Sequence, residues 1–454
     1  MAGRASAARA ARRHLIATGV GFTAALAVAK AFIVPQSAES EGAEGDQKRE
    51  LKLVQVVFRH GARTPLGQKY WPELGPKWDV CGKAYDAVPV NVLAIDGRPR
   101  PINQDDEKQV RQRYEGGCSK GELTLVGQQQ ALAFGRWLRW RYHLVHGVLP
   151  GAHAEGVVNA RTTNYSRTIA TLQGVLSGLF PGTAHPITVH TTEEIDEVLY
   201  TNVKSCGRLH QLMQDLHRQQ REASELGADP AVEAGRQGWR MRDEQLLRDI
   251  DRLATARFMH VIAPHPDTGK THEVLRLGMG VLMEMMVRRM EAAAAGEAGD
   301  TRMFLYSGHD SSLMPLLAAL GKHVEDWPPY LSNLTLELWQ QPSGQHFVLY
   351  NKKELPLEDL CGAPACELQL FKEKVIGPYL LTKDQHQKEC MLHFLHDKPA
   401  GEHTETEEVQ VGSSFQEEAD PKAPSGGTAV AAVGKAAGKG SEQANPLQSI
   451  AEEV

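Results

Sequence analysis

Residues 51–58, LKLVQVVF, constrain the fold of this chain more than any other segment. The run is mostly apolar and lacks the strict alternation of a half-buried strand, which predicts a strand buried on both faces at the centre of a sheet. It ends abruptly at Arg59-His60-Gly61. Ligands of open α/β sheets bind beyond the carboxyl ends of the strands, so we expect these residues at a binding or catalytic site.

The composition fits a globular protein of 454 residues, with 41% hydrophobic and 23% charged residues. We predict an α/β fold with a central, mostly parallel sheet flanked by helices and a smaller helical cap at about 207–260. The formal net charge of −6 argues against nucleic acid as a partner. No internal repeat is visible at the usual periods.

Further elements are predicted from periodicity and capping signals. Helices are expected from Thr124 to about Tyr142, from near Tyr165, and over 273–295. Strands are expected at 157–158 and 303–306, with a hairpin at 334–339 and 347–350. Residues 70–121 are rich in Gly and Pro, and we interpret them as a long surface excursion.

The two ends of the chain differ from the predicted domain at 51–395. Residues 1–50 are predicted to be a targeting segment and linker, because four arginines precede an apolar run and the first carboxylate side chain is Glu39. A mitochondrial location is expected. The secretory pathway and a peripheral or anchored membrane attachment through this segment stay open. Residues 396–454 have few aromatic side chains and are predicted to be a disordered, low-complexity tail.

Six cysteines are present, and Cys361 and Cys366 bracket a short turn. These two pair if the compartment is oxidising, and unpaired thiols are an equal alternative. No cysteine shows zinc-ligand spacing, and no metal or cofactor is expected.

The segment Arg59-His60-Gly61-Ala62-Arg63-Thr64-Pro65 places an imidazole between two guanidiniums. Neighbouring cations depress the pKa of a histidine, which keeps a ring nitrogen free to attack phosphorus. The same guanidiniums can hold the oxygens of a phosphoryl group. A metal-dependent or P-loop enzyme is disfavoured, since HExxH and GxxxxGK[ST] are both absent from the sequence.

Two more clusters follow predicted strands. The first is Ser307-Gly308-His309-Asp310, and the second is Arg161-Thr162-Thr163-Asn164-Tyr165-Ser166-Arg167-Thr168. An Asp near a phosphate can act as a proton donor to the leaving oxygen, with an acidic pH optimum. Arg167 at a helix start lies near a predicted anion site.

Together the three clusters resemble the histidine acid phosphatases, whose signatures are RHGxRxP, RSTxxxRT and a downstream HD pair. The resemblance covers about residues 51–390 and implies a phosphoglycerate-mutase-like fold. It implies that His60 is the nucleophile, that Asp310 is the acid, and that the substrate phosphate contacts Arg59, Arg63, Arg167 and His309. Thr162, Ser311-Ser312 and the tail depart from the family pattern.

Within that family, LKLVQVVFRHGAR, ELTLVG, EVLYTNVKSC and WPPYLSNLTLELWQ resemble the mitochondrial lysophosphatidic acid phosphatases. The resemblance implies a phosphomonoester hydrolase that converts lysophosphatidic acid to monoacylglycerol. A phosphatase for inositol polyphosphates is an alternative and would use cations of the excursion, namely Arg98, Arg100, Lys108, Arg111 and Arg113. A lipid would instead meet apolar side chains, for which Trp71, Trp78 and Tyr85 are candidates. The alternative of another class is a non-catalytic protein that binds phosphorylated ligands. Oligomeric state is not predicted.

Overall fold

The central strand is β1 (Glu50–Arg59), which lies between parallel β5 (Met303–Gly308) and antiparallel β6 (Asn333–Gln340). The computed structural model describes residues 49–67, 77–226, 244–322, 324–350, 361 and 365–396. Within these residues eight strands form one sheet in the order β2-β4-β3-β5-β1-β6-β7-β8. The first five strands of that order are parallel, and β6, β7 and β8 are antiparallel to their neighbours. The predicted α/β fold is therefore confirmed.

The other strands are short. They are β2 (Val90–Ala94), β3 (Val158–Thr162), β4 (Ile187–Thr191), β7 (His346–Tyr350) and β8 (Cys366–Glu367). The principal helices are α1 (Gln104–Arg111), α2 (Leu125–Arg139), α3 (Ser166–Leu179), α4 (Gly207–Leu226), α5 (Glu244–Ile262), α6 (Thr271–Ala294), α7 (Asp310–Ala319) and α8 (Lys383–His396).

Side chains of β1 alternate between two hydrophobic cores, which explains why the run is apolar on both faces. Leu53 and Val57 pack with residues of α6 and α7. Val54, Val56 and Phe58 pack with residues of α2 and α3. The helices therefore cover both faces of the sheet, and the carboxyl ends of β1, β3 and β5 meet at one edge.

A third core joins α4 and α5 to α6 and α8, through residues such as Leu212, Val261 and Leu277. A disulfide between Cys206 and Cys390 links this group of helices. The helices α4 and α5 fall inside the predicted cap at 207–260, although residues 227–243 lie outside the described part. Whether these helices act as a separate cap stays a prediction.

All six cysteines are paired, as Cys81–Cys118, Cys206–Cys390 and Cys361–Cys366. The pairing of Cys361 with Cys366 selects one of the two alternatives that the sequence leaves open. His386 lies close to Cys206 and Cys390, but the two sulfurs are bonded to each other and are not metal ligands in this state.

The excursion at 70–121 holds more regular structure than predicted, since β2 and α1 both lie in it. β2 is an edge strand with mostly half-exposed side chains, so its sequence gives little apolar signal. The signal for α1 is the cap Asn103, whose side-chain oxygen accepts the backbone N–H groups of Asp105 and Asp106.

Among the helices that the structure describes, none is both long and apolar enough to span a bilayer. The predicted targeting segment and linker at 1–50 lie almost wholly outside the described residues, as do 397–454 of the predicted tail.

Candidate active site

His60 follows the last residue of β1 and is almost fully buried, with 2% of its surface exposed. Its Nδ1 lies 2.9 Å from the carbonyl oxygen of Gly61. A carbonyl can only accept, so Nδ1 carries the hydrogen and Nε2 keeps its lone pair. The backbone therefore favours the tautomer in which the Nε2 lone pair is free.

The backbone N–H groups around His60 already have partners. Gly61 donates to Thr171 Oγ1 at 3.1 Å, and Ala62 donates to Gln130 Oε1 at 3.0 Å. Gly61 also packs against Gly127 of α2, where a Cβ on either glycine would lie 2.5 Å or less from a backbone oxygen. Negative charge at His60 must therefore be held by side chains rather than by these amides.

Arg59 and Asp310 are paired at the ends of neighbouring strands. Arg59 Nη2 lies 3.0 Å from Asp310 Oδ2, and Arg59 Nη1 donates to the carbonyl oxygen of Pro328. The Arg59 guanidinium also lies 4.2 Å from the ring centroid of Tyr330. Asp310 is the first residue of α7, and 21% of its side chain is exposed, more than for Arg59 at 8%.

Arg63 and Arg167 add two more guanidiniums. Arg63 Nη1 donates to its neighbour's carbonyl at Thr64, and Arg167 Nη1 donates to Gln109 Oε1 at 2.9 Å. The Nε atoms of Arg59, Arg63 and Arg167 are buried and have no hydrogen-bond partner in the described part of the chain. Buried donors without partners are costly, so this cluster is prepared for an anion that supplies acceptors.

His309 lies beside His60, with ring centroids 5.6 Å apart and the planes nearly perpendicular. Its Nε2 is 3.0 Å from Thr163 Oγ1. The rings of Tyr165 and Tyr200 pack edge-on against it, at 5.4 and 5.8 Å between centroids. These contacts fix the imidazole at the start of α7.

The electrostatics follow from burial and from the arginines. Burial first, and then Arg167, His309, Arg63 and Arg59, hold the pKa of His60 well below its usual value. Burial and the same arginines hold the pKa of His309 well below its usual value. Burial and Arg63 lower the pKa of Arg167 to about 10. The lowered pKa values favour the neutral form of both imidazoles.

The structure brings together all six residues that the sequence singles out: Arg59, His60, Arg63, Arg167, His309 and Asp310. Arg161 of the same segment is buried and pairs with Glu197 at 3.1 Å. Thr162, where serine is usual, is buried and donates to the carbonyl oxygen of Thr163.

Sequence reasoning misses the residues that hold these groups. Asp106 of α1 accepts the backbone N–H and the hydroxyl of Ser166 at the start of α3. Gln109 of α1 holds Arg167, and Trp327 donates its indole N–H to Asp310 Oδ2 at 3.0 Å. These contacts join segments that are far apart in the chain, so no local pattern marks them.

The excursion contains the cations expected for an inositol polyphosphate and the aromatic side chains expected for a lipid. Its cations have partners of their own: Arg98 with Asp96, Arg100 with Asp106, Lys108 with Asp105, Arg111 with Glu107, and Arg113 with Gly117. Trp78 packs against Tyr114, whose hydroxyl donates to the carbonyl oxygen of Pro65. Tyr85 packs at Gly174 of α3 instead, and Trp71 lies outside the described residues.

A neutral imidazole with a free ring nitrogen is suited to phosphoryl transfer when guanidiniums surround it whose buried Nε atoms lack acceptors among the described residues. The sequence model of the histidine phosphatase superfamily, branch 2, matches residues 50–235 and 244–351, and the chain belongs to this family. It is a phosphoric monoester hydrolase, as the sequence predicts.

Relatives with curated names are similar over most of the chain. The mouse lysophosphatidic acid phosphatase type 6 is 29% identical over 75% of this chain and 88% of its own length. A lysosomal acid phosphatase of Xenopus laevis is 25% identical over 76% and 79%. Among solved structures, a phytase from D. castellii matches with a TM-score of 0.48 at 14% identity, covering 77% of this chain and 83% of the phytase.

Proposed function

We propose that this chain hydrolyses lysophosphatidic acid to monoacylglycerol and phosphate, through a phosphohistidine at His60. The observation that carries the chemistry is the free Nε2 of His60 among three guanidiniums, whose buried Nε donors have no partners in the described part of the chain. A phosphoryl group supplies the missing acceptors and the negative charge.

The reaction has two steps. His60 Nε2 attacks phosphorus while the P–O ester bond breaks, and Asp310 gives its proton to the leaving oxygen. Water then attacks the phosphohistidine, Asp310 takes a proton from that water, and the P–N bond breaks to release phosphate. Arg59, Arg63, Arg167 and His309 hold the transferring phosphoryl oxygens in both steps.

The choice of a lipid substrate is supported by the surroundings of the site. Aromatic side chains stand near the two histidines, with Tyr330 against His60 and with Tyr165 and Tyr200 against His309. An inositol polyphosphate needs further cations for its other phosphates, and the arginines of the excursion are engaged elsewhere. The similarity to relatives named as lysophosphatidic acid phosphatases also supports a lipid substrate.

The test measures phosphate release at pH 5 in EDTA from lysophosphatidic acid, phytate and an aryl phosphate. We expect release that depends on His60, favours the lipid and resists EDTA, with His60→Ala as the blank. Labelled phosphoryl enzyme, trapped in alkali where phosphohistidine survives, should form with the native protein and not with His60→Ala. A preference for phytate would contradict the proposed lipid substrate and would leave the proposed phosphohistidine chemistry unchanged. No release by folded protein would favour a phosphate-binding protein instead.

We also propose that the protein works in an oxidising compartment, either the mitochondrial intermembrane space or the secretory pathway. Three disulfides support this, because the cytosol and the mitochondrial matrix keep thiols reduced. Thiol alkylation of protein from fractionated cells, combined with protease protection, tests it. Six alkylated cysteines in the native protein would contradict it.

A further inference from the structure

The segment Trp327–Leu331 touches the site at almost every residue. Trp327 donates to Asp310, and the carbonyl oxygen of Pro328 accepts from Arg59. Tyr330 stacks under Arg59 and beside His60. Leu331 donates its backbone N–H to the carbonyl oxygen of His60 at 3.3 Å. A segment with these contacts is suited to positioning the reacting groups.

The polar contacts of Asp310 are unequal between its two oxygens. Oδ2 accepts the indole N–H of Trp327 at 3.0 Å and forms an ion pair with Arg59 Nη2, also at 3.0 Å. Oδ1 accepts from the backbone N–H of Ser311 at 2.8 Å. Each carboxylate oxygen has about two lone pairs, and both partners of Oδ2 are donors only. Among the described residues, Oδ2 therefore faces a cation and a second donor, and both oppose a proton there, whereas Oδ1 faces one neutral N–H donor.

We propose that Trp327 is a positioning residue: its indole N–H, together with Arg59, occupies Oδ2 and so directs the transferable proton of Asp310 to Oδ1. This inference rests on the proposed role of Asp310 as the acid. The other charged groups that act on Asp310 are Arg63 and Arg167. As donors only, they can hold negative charge but cannot carry the proton.

Trp327 is itself held by α5. Its ring packs against Phe258 with centroids 5.1 Å apart, and its backbone N–H donates to Asp251 Oδ2 at 3.3 Å. The position of the indole therefore depends on the helices of the predicted cap. This contact gives the cap a direct connection to the acid.

The test uses Trp327→Phe, which keeps an aromatic ring against Phe258 and removes the N–H. The matched control is Trp339→Phe. Its indole N–H donates to Glu337 Oε2, also at 3.0 Å, and neither residue belongs to the cluster around His60. The readout is kcat/KM for phosphate esters of increasing leaving-group basicity, since this quantity reports the step that breaks the ester bond. The pH profile of kcat/KM is the second readout.

We expect Trp327→Phe to lose about tenfold or more with alkyl phosphates and less than about twofold with an activated aryl phosphate. Its alkaline limb should move to higher pH, because the variant removes a donor that stabilises the ionised carboxylate. Trp339→Phe should match the native protein in both readouts.

Equal losses for all leaving groups with an unmoved alkaline limb would overturn the inference. If Asp310→Asn loses the same fraction of kcat/KM with every leaving group, the proposed acid itself is wrong. This result distinguishes failure of the proposed role of Asp310 from failure of the proposed role of Trp327. Should Trp327→Phe fold poorly, benzothienylalanine at position 327 replaces only the N–H by sulfur. This variant should then give the leaving-group dependence expected of Trp327→Phe, and native behaviour would overturn the inference.

Discussion

His60 and His309 are buried as neutral imidazoles, and this has a consequence for stability. Their pKa values in the folded protein lie well below 6.5, whereas both titrate near 6.5 when the chain is unfolded. Because these folded-state pKa values are lowered, the free energy of unfolding is undiminished above about pH 6.5. It then falls as the pH drops from 6.5 towards the folded-state pKa. Each histidine should add a slope of up to about 1.4 kcal/mol per pH unit in that window.

Urea unfolding in phosphate-free buffer from pH 7.5 to 4.5 measures this slope. We expect His60→Asn and His309→Asn each to flatten the fall in the free energy of unfolding below pH 6.5. His265→Asn, which removes an exposed histidine, should keep the native slope. An unchanged slope in both site variants would show that neither imidazole is held neutral by the fold.

At the scale of single residues, the sequence could predict the residues that the structure brings together around His60, but it could not predict the residues that hold them in place. His60 and Asp310 stand in short motifs directly after apolar strands, so the local sequence marks them. Trp327 and Gln109 act on side chains 17 and 58 positions away, respectively. Nothing local to either residue indicates which distant group it contacts.

At the scale of elements, the sheet centre could be predicted because burial on both faces leaves an apolar run. The edge was harder, since β2 and α1 are exposed on one side and their short segments are separated by turn residues. α1 nevertheless matters for the site, because Asp106 caps α3 and Gln109 holds Arg167. The surface excursion therefore helps to hold the arginine cluster around His60.

The contact between α2 and the residues that follow β1 requires glycine at position 127. A Cβ on Gly127 would lie 2.0 Å from the backbone oxygen of Ala62, two residues after His60. Gly127→Ala should lower the free energy of unfolding by roughly 1–3 kcal/mol, although alanine favours a helix by about 1 kcal/mol. It should also lower kcat/KM, because the displaced backbone carries His60.

Chemical denaturation and kinetics of the same samples check this prediction. Gly67→Ala is the matched control, because no atom of the described residues lies within 4 Å of its added Cβ. The control should stay within about 0.5 kcal/mol of the native protein. A stable and fully active Gly127→Ala protein would mean that the two backbones are free to separate without moving the site.

At the scale of the whole molecule, the three disulfides close loops of very different length. Cys206 and Cys390 are 184 residues apart, Cys81 and Cys118 are 37 apart, and Cys361 and Cys366 are only 5 apart. A cross-link stabilises mainly by restricting the unfolded chain, so its effect grows slowly with the loop it closes. The chain-entropy relation gives about 5, 4 and 2 kcal/mol in that order.

We therefore expect the paired alanine variants to lose stability in the order Cys206/Cys390, then Cys81/Cys118, then Cys361/Cys366. Urea unfolding of the oxidised proteins measures the three losses, and the same experiment in reductant should bring all of them to a common, lower stability. The first variant also removes the link between α4 and α8, so it should unfold in a broader transition if these helices lose cooperativity with the sheet. The reverse order would contradict the entropic account and would place the effect of each disulfide in local packing of the folded protein.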